Sequence, residues 1–441
     1  MKKKNKNCIV IGSSFTALVC ILDLIKNGYS PIVIDVGANY LAKDTYTSIL
    51  KPFFYKKKIE DYSFFGGLSE VWKGVVAGST KLDFGDIFIK DKEKLLDATL
   101  KLIKDYSFYT NDLVNHRKNK FDFVKLKEID VKNILFRNKS WIGKPIFFCK
   151  KVNNKNKIIP FETKSFLKDL IKKKKIKYIK GQAQKVGIIK NKTYLFYKSQ
   201  NNKVNKIKYD YVFCGAGALS SSRIINNSLE LSNNSVFMKT NKKGLFLSIF
   251  KKKININLDN SHPIYQGIIM NNGKSKIYIQ CYLFSQMLYN FLPNMFKGLF
   301  RIILSLNIFK YLSISFVSID HNSEVEIKND SKIYTQKNSL QKFLLKNLFK
   351  RINNLQNYFT IYSIGKFLPS LAGNHFGASF SFKKGNIKKK IIFSNNIGLV
   401  DGLSNFHVID SASLNKILCI PPTLLSMMHS LRITRKVTNK K

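Results

Sequence analysis

The sequence predicts a mixed α/β chain: a parallel-sheet unit built from separated segments, joined to an α+β unit that carries an antiparallel sheet. Three observations lead there. The 441 residues exceed the usual size of one domain and, at 44% hydrophobic, supply a substantial core. Residues 8–35 run from a short apolar strand through a glycine turn and a helix-like stretch to a second apolar strand. The middle of the chain instead holds the strand-like runs "KIYIQCYLF" (276–284) and "YLSISFVSID" (311–320).

At the N-terminus "CIVI" reads as a strand, "GSSFTA" as a turn, "LVCILDLIKNG" as a helix closing on Gly28, and "SPIVID" as a strand ending in Asp35. This is the order of a Rossmann unit. Gly12, Ser14 and Ala17 occupy the GxGxxG/A positions, and the acid follows Gly12 by 23 residues. The first glycine permits a tight turn, the helix N-terminus offers N–H groups to a pyrophosphate, and Asp35 would accept from a ribose hydroxyl. The same letters also suit an exported lipoprotein: a lysine cluster, an apolar run, then Cys20. Leu18 and Val19 are not the small residues such a cleavage site needs, and Asp23 interrupts the run, so the nucleotide-binding reading is preferred.

Three further stretches bear on function. "FFGGLSEVWKGVVAGST" (64–80) has the glycine density of a backbone passing close to something flat, or of a plain hairpin. "YDYVFCGAGALSSSRII" (209–225) runs a strand into Gly215, Ala216 and Gly217 and then a helix; small residues there let a ligand or backbone pass near the strand end, and tight helix-on-sheet packing explains them nearly as well. "GNHFGASF" (373–380) is followed at 398–437 by a strand, "FHVID", and a helix, "PTLLSMMHSLRI", with proline at its first position. A helix N-terminus there would stabilise an adjacent anion.

Together these four stretches resemble the glucose-methanol-choline family of flavin-dependent oxidoreductases, particularly bacterial members associated with polysaccharide biosynthesis. The resemblance covers roughly 1–80, 175–230 and 370–437. It implies a Rossmann-like FAD-binding domain with a discontinuous chain (1–110, 171–232 and 372–441), a linker or lid at 111–170, and a substrate domain at 233–371. It assigns the FAD pyrophosphate to Gly12, Ser13, Ser14 and Phe15, and the adenosine ribose to Asp35. Gly66, Gly67, Leu68 and Ser69 would pass the isoalloxazine ring, and Gly215 and Ala216 would lie by the adenine side. Asp410 would meet the ribityl and pyrophosphate, and Pro422 and Thr423 would open the helix facing the pyrimidine ring. His375 matches the family's histidine and would take the hydroxyl proton as hydride leaves the alcohol carbon. His407 and His429 sit in strand and helix patterns and read as packing residues. Pro421 stands where the family usually has Asn or His, so a two-residue proton relay is not implied. Glu70 stands where relatives often carry Asn.

Composition bounds the alternatives. The formal charge is +49, carried by 69 Lys and only 7 Arg. Nucleic-acid readers lean on arginine, so no nucleic-acid partner is expected, and lysine runs such as 172–177 read as solvated faces. The stretch 287–319 is broken by Pro293, Lys297, Arg301 and Lys310 and reads as a core or cleft cover. The alternative is a helix lying at an anionic membrane surface, which would make peripheral contact there. No run of eighteen apolar residues predicts a spanning helix. Six scattered cysteines and six scattered histidines predict a reduced, cytoplasmic protein without a structural metal. The leading expectation is an FAD enzyme oxidising an alcohol carbon of a sugar or glycan precursor, its electron acceptor unspecified. A flavoprotein using a nicotinamide or polyprenoid partner and a non-catalytic adaptor at an anionic surface are the alternatives.

Overall fold

The computed structural model describes residues 6–37, 65–67, 75–76, 92–106, 123–124, 140–143, 146–147, 149–152, 158–230, 236–251, 263, 265–271, 274–285, 289, 298, 310–327, 333–335, 350, 360–367, 376–377, 397–414 and 416–438. In chain order its strands begin β1 (Cys8–Ile11), β2 (Ile32–Asp35), β3 (Val75–Val76), β4 (Phe123–Val124), β5 (Ser140–Gly143), β6 (Ile146–Phe147), β7 (Cys149–Val152) and β8 (Ile158–Pro160). They continue with β9 (Lys177–Ile189), β10 (Lys192–Ser199), β11 (Val204–Lys208), β12 (Tyr211–Cys214), β13 (Val236–Phe250), β14 (Tyr265–Asn271) and β15 (Lys274–Leu283). The last are β16 (Leu312–Ile327), β17 (Ile333–Thr335), β18 (Thr360–Phe367), β19 (Phe376–Gly377) and β20 (Phe406–Val408). The helices are α1 (Phe15–Lys26), α2 (Lys92–Tyr106), α3 (Thr163–Lys172), α4 (Ala218–Ser228) and α5 (Thr423–Thr438).

Two sheets carry the molecule, as the sequence predicts. The first has the order β11-β10-β9-β2-β1-β12-β20, parallel from β9 to β20, with β10 and β11 added as an antiparallel meander. The second is antiparallel, in the order β18-β13-β16-β15-β14-β5-β4. Parallel strands need cover on both faces, and β1 shows it: Cys8 and Val10 join the core under α1, α3 and α5, whereas Ile9 and Ile11 join the core under α4. The segment 111–170, expected as linker or lid, contributes to both units. Its β4 and β5 extend the antiparallel sheet, and Phe161, Phe166, Leu167 and Leu170 enter the α1 core.

Helix α1 starts three residues before the run assigned to it from sequence. Ser14 is extended (ψ −177°) and its carbonyl accepts from the Leu18 N–H at 2.8 Å, which makes it the cap residue and Phe15 the first helical one. Every side chain from Phe15 to Leu24 is buried. Among them is Asp23, whose Oδ1 accepts from Arg435 Nε of α5 at 3.2 Å. Burial raises the Asp23 carboxyl above its ordinary value, and Arg435 opposes that rise. The five cysteines whose side chains are described are free thiols in the core. Among the described residues, no helix is long and apolar enough to cross a membrane.

His407 and His429 are packing residues, as expected: both are buried, and His429 Nε2 lies 2.7 Å from the Ser413 hydroxyl. Burial, aided by Arg432, pushes His429 well below its ordinary value of 6.5. The unfolded chain takes up a proton there that the folded chain refuses, so stability falls as pH drops below 6.5. His429→Gln is expected to remove that loss, bringing urea midpoints at about pH 7.5 and about pH 5.5 closer together than in the wild type. Unchanged spacing would clear His429 of any part in acid sensitivity.

Candidate functional site

The carboxyl ends of β1, β2 and β12 meet where the strand order reverses. From β1 the chain crosses through α1 to β2 on one side, and β12 lies on the other. Open α/β sheets receive ligands in such a crevice. Gly12 turns there with φ +97°, donating its N–H to the Ile34 carbonyl at 2.8 Å. A Cβ on it would stand 2.5 Å from the Gly215 carbonyl oxygen, so only glycine fits. Gly215 returns its N–H to the Ile11 carbonyl (2.9 Å), and Ile409 donates its N–H to the Cys214 carbonyl (2.9 Å). The three turns after β1, β12 and β20 are thereby stitched side by side.

Ser13 binds in three directions. Its hydroxyl donates to Asp35 Oδ2 (2.8 Å) and accepts from the Gly66 N–H (2.7 Å). The Thr163 hydroxyl, at the start of α3, is shared between the carbonyls of Ser13 (2.8 Å) and Gly66 (3.2 Å). The Phe65–Gly67 turn is therefore fastened to the β1–α1 turn. Asp35 accepts a further bond from the Gly37 N–H at 2.8 Å. Burial raises the Asp35 carboxyl above its ordinary value, opposed by the Ser13 and Gly37 bonds. The Phe15 ring belongs to the core, stacked on Phe161 at 6.0 Å.

Asp410 lies deep beside these turns, 3% exposed, and both its oxygens are engaged by the protein. Oδ2 accepts from the Ser221 hydroxyl (2.6 Å) and the Gly217 N–H (2.9 Å), and Oδ1 from the Ala412 N–H (2.9 Å). Its side chain thus fixes the entry to α4 and the short turn Ser411–Ser413. Burial raises its pKa despite these three bonds. Helix α5 begins at Thr423, with the Pro422 carbonyl accepting from the Ser426 N–H (2.8 Å); the proline caps the helix instead of opening it.

His375, Leu68 and Ser69 lie outside the described residues. The two residues after His375 form β19, pairing Phe376 with Thr240 and Gly377 with Lys239 of β13, while Gly377 backs onto Ser411. The segment that follows the histidine therefore runs between the antiparallel sheet and the Asp410 turn. Composition gave no hint of two polar side chains at this junction. Thr240 Oγ1 and Asn241 Oδ1 are fully buried and without a hydrogen-bond partner among the described residues. The Asn241 amide donates to the Leu418 carbonyl, tying β13 to the segment before α5.

Helix N-termini supply positive potential at the site. Neither α1 nor α4 has a side-chain cap or an acid in its first turn, and α5 also lacks an acid there. Gly217, the cap of α4, adopts φ +90° with open space where its Cβ would be. Uncapped N–H groups opening on a crevice suit a pyrophosphate. Among the described residues, no group of His, Cys, Asp or Glu could hold a metal ion.

No protein-family model matches this chain, and no curated protein matches its sequence. Among solved structures it matches pyridoxine 4-oxidase from Mesorbium loti, with a TM-score of 0.63 over 99% of this chain and 100% of that one. The chain has the pyridoxine 4-oxidase fold. At 11% identity the likeness to pyridoxine 4-oxidase is one of architecture.

Thr163→Val tests the fastening of the 65–67 turn. It leaves two buried carbonyls without their shared donor and is expected to lower stability by about 1–3 kcal/mol, read from urea unfolding. A change below a few tenths would show that the turn is held by other means.

Proposed function

We propose that the chain is an FAD-dependent oxidoreductase that oxidises an alcohol carbon. The observation that carries this is the convergence of the Gly12 turn, Gly66, the Gly215–Gly217 turn and the Asp410 turn in one crevice, within a fold that a known oxidase shares over its whole length. The residues present fit the cofactor. The α1 N-terminus at Ser14 and Phe15 would face the pyrophosphate, and the remaining lone pairs of Asp35 would meet the ribose. Gly66 and Gly67 would pass the flavin ring, and Gly215 and Ala216 the adenine side. Asp410 would shape the pyrophosphate channel through the α4 entry it holds, and Pro422 and Thr423 would bring the α5 N-terminus to the flavin. Bound FAD would supply the hydride acceptor. His375 would take the hydroxyl proton. A sugar or glycan precursor remains our preferred alcohol, and peripheral contact with anionic membrane through the lysine surface accompanies it.

Gly12 is a poor reporter of cofactor binding, because any side chain there strikes the Gly215 carbonyl first. Ser14→Asp separates folding from binding: aspartate is a good cap residue, yet it sets a negative charge where the pyrophosphate belongs. The apo protein is expected to melt at the same temperature or higher, while FAD titration shows affinity reduced about tenfold or more, ~1.4 kcal/mol. Undiminished affinity would remove this turn from the cofactor site.

His375→Ala is expected to retain FAD and to slow flavin reduction by ~10²–10⁴-fold in anaerobic stopped flow against a panel of alcohols. Reduction at the wild-type rate would exclude His375 as the base; loss of FAD would make it structural.

A further inference from the structure

The meander β9-β10-β11, at one edge of the first sheet, gathers cations more densely than the rest of the chain. Residues 170–209 hold thirteen lysines, no arginine and no acid, against 69 lysines in all 441 residues. The two faces of the meander are unlike. Val186, Leu195, Tyr197 and Ile207 point into the core under α4. The opposite face follows from the register. Tyr194 of β10 stands between Gly187 of β9 and Lys208 of β11, and in the next row Phe196 stands between Lys185 and Lys206. Beyond these rows Lys198 pairs with Val204, which is 61% exposed. The Phe196 ring lies against Gly187, where a Cβ would stand 3.4 Å from it, and the Lys206 ammonium sits 5.2 Å from the centre of the Tyr194 ring. Lys192, Lys206 and Lys208 are exposed. Lys185 meets Glu230 at 3.3 Å, and among the described residues no carboxylate pairs with Lys192, Lys198, Lys206 or Lys208.

We propose that this face docks on an anionic phospholipid surface. Ammonium groups set side by side without carboxylates leave a positive field that an anionic partner complements. A lysine is a point charge without the planar fork of arginine, which suits headgroups of no fixed geometry. Each lysine brought to such a surface is worth about fivefold in affinity. Tyr194 and Phe196 give the face an aromatic floor and Val204 an aliphatic edge, groups that settle at headgroup level. Single-stranded nucleic acid is the other polyanion that basic, aromatic sheets hold, by stacking bases on free ring faces. Here Lys206 lies over the Tyr194 ring, and the stretch has no arginine to stack on a base or to grip a phosphate with two bonds. The docking face gives the membrane contact proposed above a definite place on the fold; it rests on that contact and not on the flavin.

The test is co-sedimentation of the purified full chain with vesicles of phosphatidylcholine alone and of phosphatidylcholine mixed equally with phosphatidylglycerol. Binding is expected to the anionic vesicles only, and to be released by high salt. Lys206→Gln combined with Lys208→Gln is expected to weaken it about twentyfold. Lys172→Gln combined with Lys175→Gln removes the same charge from an exposed run outside the face, and is expected to weaken it by less than about threefold. Both pairs lie on the surface and should keep the urea midpoint of the wild type. Equal losses in the two pairs would show net charge alone at work and overturn the face. So would binding to neutral vesicles as tight as to anionic ones, or no binding to either. Tighter binding to a fluorescent oligothymidylate than to anionic vesicles, lost with Lys206 and Lys208, would overturn lipid in favour of nucleic acid. The expected pattern in a protein that takes up no FAD supports the docking face and counts against the flavoenzyme reading alone; FAD uptake without vesicle binding does the reverse.

Discussion

The close crossing of two backbone turns, Gly12 against the Gly215 carbonyl, is the constraint on which the architecture depends. It forces β1 and β12 to end level, and the bonds Gly12 N–H to Ile34 and Gly215 N–H to Ile11 hold that level across three strands. Once the strand ends are level, the N-termini of α1 and α4 open into the same crevice. Ser13, placed by the same turn, then reaches Asp35 on one side and Gly66 on the other. Gly12 and Gly217, two of the positive-φ glycines here, have different reasons to exist. Gly12 is required by protein packing, whatever the crevice holds, whereas among the described residues no atom lies within 4 Å of where a Cβ on Gly217 would stand.

The elements legible in the sequence were those whose signal is local. The strand, glycine turn, helix and strand of 8–35 are set by alternation and by one turn, so reading them needed no knowledge of the rest. The same holds for Tyr211–Cys214, Phe406–Val408 and the core of the antiparallel sheet. What escaped were pairings over long separations. Nothing in "PFETKSF" announces that Thr163 joins the turns at Ser13 and Gly66, 150 and 97 residues away. Nor does the mixed run 111–170 show that β5 will lie beside β14. Asp410 stood out in the sequence for a family motif, whereas its bonds to Gly217 and Ser221, which hold the α4 entry, join residues about 190 apart and left no local signal.

Burial redistributes the charge that composition only counts. Among the described acids, Asp23, Asp35 and Asp410 are withdrawn from water, where desolvation raises each pKa and where hydroxyls, backbone N–H groups and one arginine offset the cost. The exposed run Lys172–Lys175 shows where the cations go. A surface so weighted toward lysine attracts anions without fixing their geometry, since an ammonium lacks the planar fork of arginine. Selectivity for the anionic cofactor proposed above would then fall to oriented backbone N–H groups in the crevice.

The antiparallel sheet does more than wall that crevice; it sets where α5 starts. Along β13, Asn241 holds the Leu418 carbonyl, and on β16 Asp320 faces Lys416 at 3.9 Å. Between these contacts the pairing of β13 with β16 slips at Asn241/Lys242, leaving Asp320 and His321 out of register. A bulge of this kind bends a strand and re-aims its side chains, and here it lies opposite the segment that enters α5. Tyr278 shares one buried cluster with Leu418 and Cys419. Residues 416–422 are thus held from the sheet side while Ser430 of α5 bonds the Thr16 carbonyl of α1 from the other. The helix N-terminus is fixed between the two units, so a displacement of the sheet face would move the very dipole that the proposed chemistry uses.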